Sequence, residues 1–257
     1  MVHGLLCLVA VAGTAAAAQA AAAQAACPGN ADVLSTERVL VLDPATYPRV
    51  GRKHFPQTLP LKPKEVVLTF DDGPEPGSTS RVLDALKREC VRASFFVLGR
   101  SAAAHPGLLR RALQEGHTVA HHSFAHPLLN RMPVDAAEAE INRGFAAVDA
   151  ALYGKAERSP ATPFFRFPGF ASNQALLERL ERRHIAVFGA DLWASDWNPM
   201  TPQHEHALLL RRLTKAGGGI VLLHDIQPKT AAMLPDLLRE LKRRDFRVVH
   251  IVPIETR

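Results

Sequence analysis

The first 26 residues contain no lysine, arginine, aspartate or glutamate, although charged residues make up 22% of the whole chain. The apolar part of this segment, Leu5–Val11, is shorter than the roughly 20 residues that a helix needs to cross a membrane. We therefore exclude an integral membrane protein. The alanine-rich sequence that follows is typical of a signal peptide, although basic residues are missing from its start. We expect residues 1–26 to direct export to the periplasm or beyond, with a disordered tail as the alternative.

Cysteine is also scarce, with three residues in a chain of 257. Cys7 would leave with the leader, and Cys27 and Cys90 would remain as an even pair in an oxidising compartment. We predict a disulfide Cys27–Cys90; two buried thiols, or a lipid-modified Cys27, are the alternatives. The chain is long enough to bury a full hydrophobic core in one large domain.

Internal repeats of 20–50 residues are not visible, and low-complexity sequence is confined to residues 1–26. Basic residues are spread along helical segments without alternating aromatic residues, so we predict that the chain binds no nucleic acid. The net charge of +6 favours anionic surfaces such as a cell wall or acidic glycans. Simple solubility is the alternative explanation of this charge.

From Glu65 onward, short apolar runs rich in β-branched residues alternate with longer segments of helical periodicity. The runs are Val66–Phe70, Ala93–Val97, His117–Ala120, Phe164–Phe167, Ile185–Gly189, Ile220–Leu223 and Phe246–Val252. This alternation predicts an α/β fold of parallel β/α units. The sheet closes as a barrel or stays open and doubly wound, and functional residues gather beyond the carboxyl ends of its strands in both cases. We assign residues 65–257 to this domain and residues 27–64 to an arm packed on it.

Two adjacent carboxylates, Asp71 and Asp72, directly follow the first of these runs. Buried carboxylates are costly unless a cation lies beside them, so one can bind a metal while the other accepts a proton. The third run ends near His122 and His126, whose spacing places both imidazoles on one face of a helical turn, as in many metal sites. Taken singly, a polar turn and a surface histidine pair explain these residues as well.

Three further strand ends carry unusual polar residues. Arg166 lies inside an aromatic run, where a guanidinium requires a carboxylate partner. The fifth run leads to Asp191 and Asp196, and the sixth ends at His224, an acid–base candidate. A structural ion pair and a core histidine are the alternatives for each residue alone. We expect all of these side chains to converge, because the carboxyl ends of parallel strands meet at one rim.

Two motifs resemble those of the polysaccharide deacetylase family, also called the NodB homology domain or carbohydrate esterase family 4. They are Thr69-Phe70-Asp71-Asp72-Gly73 and His122-Ser123-Phe124-Ala125-His126. The resemblance spans about residues 65–252 and implies a distorted (β/α) barrel with seven or eight mostly parallel strands. It also implies a hydrolase that removes N-acetyl groups from amino sugars of an acetylated glycan, with the help of a divalent metal. That metal is usually Zn²⁺, with Co²⁺ or Mn²⁺ as alternatives.

The same resemblance implies a role for each candidate residue. Asp72, His122 and His126 would hold the metal. The general base would be Asp71, kept ionised by Arg166, and the general acid would be His224, oriented by Asp196. Because Asp191 and Asp196 are farther apart than is usual in the family, Asp191 is the alternative orienting residue. A backbone N–H near Pro168–Phe170 would bind the oxyanion, and substrate would contact Trp197, Phe170 and Leu222. The sequence departs from the family pattern at Gly169-Phe170 and at Val221, which puts substrate contacts in question rather than the reaction.

Three other functions share parts of this pattern. Two histidines and a carboxylate also describe non-haem iron oxygenases, but the β/α alternation argues against their scaffold. A catalytically inactive glycan-binding domain would need neither Asp71 nor His224. The same fold acting on another amide, or on an acetyl ester of xylan, stays open. Chitin oligomers, peptidoglycan and poly-N-acetylglucosamine all fit as the glycan, and the oligomeric state is also open.

Overall fold

The computed structural model describes residues 32–156 and 159–254. The predicted leader and Cys27 lie outside these residues, so leader removal, export and the Cys27–Cys90 disulfide stay predictions. Among the residues that are described, no helix combines the length and the apolar character needed to cross a membrane.

One sheet of ten strands, all paired in parallel, runs through the described part of the chain. The strands are β1 (Thr36–Leu42), β2 (Arg49–Val50), β3 (Glu65–Asp71), β4 (Ser94–Val97), β5 (Thr118–His121), β6 (Phe164–Phe165), β7 (Ala186–Phe188), β8 (Leu192–Trp193), β9 (Gly219–His224) and β10 (Arg247–Pro253). Each of the seven apolar runs overlaps one of these strands, which confirms the predicted parallel α/β fold. The additional strands are β1, β2 and β8.

Seven helices lie between these strands in the described residues. They are α1 (Ser78–Arg88), α2 (Gly99–Ala104), α3 (Pro106–Gln114), α4 (Val134–Tyr153), α5 (Gln174–Arg182), α6 (Pro202–Ala216) and α7 (Pro228–Arg243), with short 3₁₀ turns at Leu129–Arg131 and Pro168–Phe170. Helix α6 begins and ends at residues that favour helix termini. Thr201 caps it by accepting a hydrogen bond from the His204 N–H, Pro202 opens it, and Gly217 ends it in the left-handed conformation.

The strands lie in the order β2-β7-β6-β5-β4-β3-β9-β8, while β10 joins the beginning of β3 and carries β1. Alternate residues of β3 face opposite sides of this sheet. Val67 belongs to a hydrophobic cluster that includes residues of eight other strands and the loop residue Leu59. Val66 and Leu68 belong to a second hydrophobic cluster, which includes residues of the helices. Both faces of the sheet are therefore buried, as parallel sheets require, and the polar residues at strand ends lie at one mouth.

Residues 27–64, predicted as an arm, contribute two strands to the same sheet. β1 pairs with β10 and β2 pairs with β7. Backbone hydrogen bonds thus attach this segment to β10 and to β7. The division between arm and domain at residue 64 stays a prediction.

Candidate metal centre and active site

Strand β3 delivers two carboxylates to the mouth of the barrel. Asp71 is its last residue, and Asp72 follows with a φ of 78°, a left-handed conformation that is uncommon outside glycine and recurs at functional sites. Consecutive residues of an extended strand point to opposite faces, but here both carboxylates face His122. The His122 Nε2 lies 3.8 Å from Asp71 Oδ2 and 3.5 Å from Asp72 Oδ1.

The predicted metal ligands Asp72, His122 and His126 lie together. One ligand atom from each lies within 4.8 Å of the other two, and both Nε2 atoms are 3.5 Å from Asp72 Oδ1. That oxygen is buried and has no hydrogen-bond partner among the described residues. A buried carboxylate oxygen with two imidazole nitrogens directed toward it fits a divalent cation.

The orientation of His122 supports this fit. Its Nδ1 lies 2.7 Å from the backbone carbonyl of Arg166, so Nδ1 carries the proton and the lone pair of Nε2 faces Asp72. Burial lowers the pKa of His122 to about 3, which keeps the ring neutral, as a metal ligand must be. His126 is the last residue of the short loop that begins at His122. It has a φ of 67° and is partly exposed at the cleft.

Arg166 is fully buried and is fixed by hydrogen bonds on several sides. Its Nη1 donates to Asp71 Oδ1 at 2.6 Å and to Thr69 Oγ1 at 2.9 Å, and its Nη2 donates to the Gly189 carbonyl at 3.0 Å. Burial raises the pKa of Asp71, and the adjacent Arg166 guanidinium opposes that rise. Asp71 is therefore a stronger base than an exposed aspartate and is held in one orientation by its ion pair.

His224 ends strand β9 on the other side of the cluster. Its Nδ1 donates to Asp196 Oδ1 at 2.8 Å, its backbone N–H donates to Asp196 Oδ2 at 2.7 Å, and its Nε2 lies 3.9 Å from Asp72 Oδ2. Burial alone would lower the pKa of His224, but the hydrogen bond and charge of Asp196, with those of Asp71 and Asp72, raise it to about 9. The ring is thus protonated at neutral pH, with Nε2–H directed into the cleft.

Asp191 has a different position from Asp196. Its carboxylate accepts hydrogen bonds from the Arg52 N–H, the Thr58 hydroxyl and the Ile220 N–H, each at 2.8 Å. In the structure, Asp196 contacts His224, whereas Asp191 attaches residues 52–58 to the barrel.

A cavity of about 390 Å³ opens beside the cluster. The predicted substrate-contact residues Trp197, Phe170 and Leu222 line it. Trp197 packs edge-on against His224, with ring centroids 5.9 Å apart, and is 49% exposed. A second, polar groove adjoins this cavity, and Asp72 and His126 line both spaces. The cluster thus borders a cleft that has an aromatic side and a polar side.

Sequence reasoning did not assign several residues of the aromatic side, among them Trp193 and His54. Trp193 lies 6.0 Å from Trp197, ring to ring, and is the last residue of β8, so the rule that located Asp196 could have found it. His54 stacks on Phe170 with ring centroids 3.7 Å apart; burial and the charge of Arg166 lower its pKa to about 4. It comes from the segment before β3, where no periodicity or motif signalled a site.

Comparison with known proteins shows the family of this chain. The family model described as polysaccharide deacetylase matches residues 58–187. The chain is 44% identical over 163 residues to a chitooligosaccharide deacetylase of Rhizobium leguminosarum bv. trifolii, covering 63% of this chain and 72% of that protein. It is 35% identical over 191 residues to the peptidoglycan-N-acetylglucosamine deacetylase of Listeria monocytogenes, covering 73% of this chain and 38% of that protein.

Solved structures show the same fold. The peptidoglycan deacetylase Bd3279 of Bdellovibrio bacteriovorus superposes with a TM-score of 0.76 at 30% identity, covering 88% of this chain and 61% of that one. The parallel β/α fold of this chain is thus shared with a protein named as a peptidoglycan deacetylase. The chain belongs to the polysaccharide deacetylase family, and it spans about two fifths of the length of the Listeria relative.

Proposed function

We propose that the protein is a metal-dependent hydrolase that removes N-acetyl groups from amino sugars of a glycan. One observation carries this proposal: a proton acceptor and a proton donor flank the Asp72, His122 and His126 cluster, each less than 4 Å from it. Asp71 Oδ2 lies 3.8 Å from His122 Nε2, and His224 Nε2 lies 3.9 Å from Asp72 Oδ2. Binding a glycan without hydrolysis would require neither group.

The cluster would hold Zn²⁺, with Co²⁺ or Mn²⁺ as alternatives. Bound there, a divalent cation supplies Lewis acidity that polarises the amide carbonyl and lowers the pKa of a water molecule. Three protein ligands leave positions free for water and substrate, as catalytic sites require. The buried, unpartnered Oδ1 of Asp72 and the fixed tautomer of His122 are the features of this chain that support the assignment.

The surrounding residues divide the proton transfers between them. Asp71, oriented by Arg166, accepts the proton of the attacking water as the new C–O bond forms. His224 donates its Nε2 proton to the departing amine as the amide C–N bond breaks, so that acetate and a free amino sugar result. In the 168–171 turn the N–H groups of Phe170 and Ala171 already donate to backbone carbonyls, so Gly169, which lines the cavity, is the proposed oxyanion donor.

We propose a cell-wall glycan as substrate, with peptidoglycan first and chitin-like oligomers second. The aromatic side of the cleft suits the apolar face of a sugar ring, and the net charge of +6 favours an anionic polymer. The names of the relatives, a peptidoglycan-N-acetylglucosamine deacetylase and a chitooligosaccharide deacetylase, support these two classes. Export to the cell envelope belongs to the same proposal.

The test is acetate release from peptidoglycan and from chitin oligomers. Asp71→Asn and His126→Ala are expected to fold and to lose most of their turnover, because one removes the base and the other a ligand. Asp236→Asn is the matched control, since Asp236 is exposed on α7 and contacts Arg239; it should keep full activity. Full acetate release by Asp71→Asn would exclude the assigned base.

A further inference from the structure

A buried glutamate lies behind the residue that orients His224. Glu205 belongs to the first turn of α6 and is fully buried. Its Oε1 lies 2.7 Å from the hydroxyl of Thr230 on α7, and the same hydroxyl lies 3.0 Å from Asp196 Oδ2. A continuous series of hydrogen bonds therefore runs from Glu205 through Thr230 and Asp196 to His224.

The number of available protons determines which group donates in each hydrogen bond of this series. The Thr230 hydroxyl has one hydrogen and is flanked by two carboxyl groups, so one of these groups must donate to it. Asp196 already accepts hydrogen bonds from the backbone N–H and Nδ1 of His224, and protonating it would weaken that ion pair. Glu205 is therefore the donor: it donates to Thr230, and Thr230 donates to Asp196.

The surroundings of Glu205 agree with a neutral carboxyl group. Its Oε2 is buried without a hydrogen-bond partner among the described residues, a position in which a charged oxygen is costly. Burial raises the pKa of Glu205 to about 7; the charge of Asp196 acts in the same direction, whereas the Thr230 hydrogen bond, Lys229 and His224 oppose it.

A second residue of α6 holds the same segment. Arg212 Nη1 donates to the Trp193 carbonyl and to the Ser195 hydroxyl, both at 2.7 Å. Ser195 has a φ of 63°, so the backbone next to Asp196 is in a conformation that needs outside support. Helix α6 thus contacts the 193–196 segment directly through Arg212 and indirectly through Glu205.

We propose that protonated Glu205 and Thr230 are positioning residues for the acid step: they hold Asp196 in the geometry that presents His224 Nε2 to the leaving amine. This inference rests on the proposed deacetylase function. It assigns no contact with substrate to either residue, and it makes Glu205 functionally equivalent to glutamine.

The protonation state can be tested without substrate. In the unfolded chain Glu205 ionises near the ordinary glutamate pKa of 4.5, so the wild type loses stability relative to Glu205→Gln as the pH rises toward 7. We expect the two proteins to have similar Tm at pH 4.5, and the glutamine variant to have the higher Tm at pH 8. The assignment of a protonated Glu205 would be overturned if the difference in Tm between the two proteins did not grow with pH, or if the glutamine variant were less stable at pH 8.

The positioning role is tested by steady-state deacetylation. Thr230→Val should lower kcat about tenfold to a hundredfold, as loss of such supporting contacts does, with KM and Zn²⁺ affinity unchanged. Thr230→Ser and Glu205→Gln should keep kcat within about twofold, because each retains the required donor. Wild-type kcat in Thr230→Val, or a kcat loss in Glu205→Gln as large as in Thr230→Val, contradicts the role. Absent acetate release by wild type would instead reject the proposed function, while the melting experiment still reports on Glu205.

Discussion

Two buried histidines at the opposite end of the barrel from the cleft should make the protein acid-labile. His117 Nδ1 accepts a hydrogen bond from the Ala93 N–H at 3.1 Å, so its single proton lies on Nε2. The Thr118 hydroxyl donates to the Ile251 carbonyl at 2.5 Å and lies 2.9 Å from His250 Nε2, so that nitrogen donates to the hydroxyl. Protonating His117 breaks its hydrogen bond, and protonating His250 places a second N–H where no partner exists among the described residues.

The size of the effect follows from the pKa values. Burial lowers the pKa of both rings from 6.5 to about 3, and the charges of Arg92 and of neighbouring Arg111 or His117 add to this lowering. Only the unfolded chain gains protons as the pH falls below 6.5, so stability is lost in that direction. At pH 5.5 each histidine costs about 1.4 kcal/mol, and at pH 7.5 less than about 0.1 kcal/mol. At pH 5.5 the two histidines together therefore lower the free energy of unfolding by about 2.8 kcal/mol, which corresponds to a Tm lower by about 6–11 °C for a domain of this size.

The assay is urea unfolding at pH 7.5 and 5.5 of wild type and of the double variant His117→Asn/His250→Gln, whose amides keep the two hydrogen bonds. The free-energy loss between the two pH values should shrink by about 2.8 kcal/mol in the double variant. His184→Asn is the control, because His184 is exposed and asparagine tolerates its positive φ of 53°. An equal pH dependence of wild type and double variant would refute the assignment of neutral buried rings.

Three further predictions concern the cleft. Gly144→Ala should weaken Zn²⁺ binding in a calorimetric titration, because a Cβ there would lie 2.5 Å from the backbone of the 122–126 loop; Gly107→Ala, with no atom within 4 Å, should leave binding unchanged. Arg166→Lys should lower kcat at least tenfold and lower Tm, since one ammonium cannot replace a guanidinium with several hydrogen bonds; wild-type kcat would contradict this. Trp197→Ala should raise KM about twofold to twelvefold, the equivalent of a lost 0.5–1.5 kcal/mol aromatic contact, with Tm nearly unchanged because the ring is half exposed.

The strand-end residues could be located from the sequence because a parallel topology brings the carboxyl ends of its strands together. Once the β/α alternation is recognised, Asp72, Arg166 and His224 must lie at one rim, whatever the sequence distance between them. The choice between Asp191 and Asp196 could not be made in this way. Both lie in one short segment after a strand, and only hydrogen bonds to residues far along the chain distinguish them.

Other features depend on contacts that leave no local pattern. The apolar run at residues 39–42 is visible in the sequence, but its partner strand β10 lies about 210 residues further on, and nothing nearby indicates the pairing. Glu205 is an ordinary residue for the first turn of a helix, where acidic side chains are favoured. Its burial and its contact with Thr230 arise only when α6 and α7 pack together. His54 likewise reaches the cleft only because β2 pairs with β7.

The most direct test of the metal centre is to measure bound Zn²⁺ and acetate release on the same samples. Wild-type protein is stripped with a chelator, reloaded with Zn²⁺, and compared with His126→Ala treated identically. We expect one ion per chain in the reloaded wild type, no acetate release after stripping, recovery on reloading, and weak binding without recovery in His126→Ala. Full acetate release by metal-free wild type, or equal Zn²⁺ affinity and activity in His126→Ala, would contradict the proposed centre of Asp72, His122 and His126.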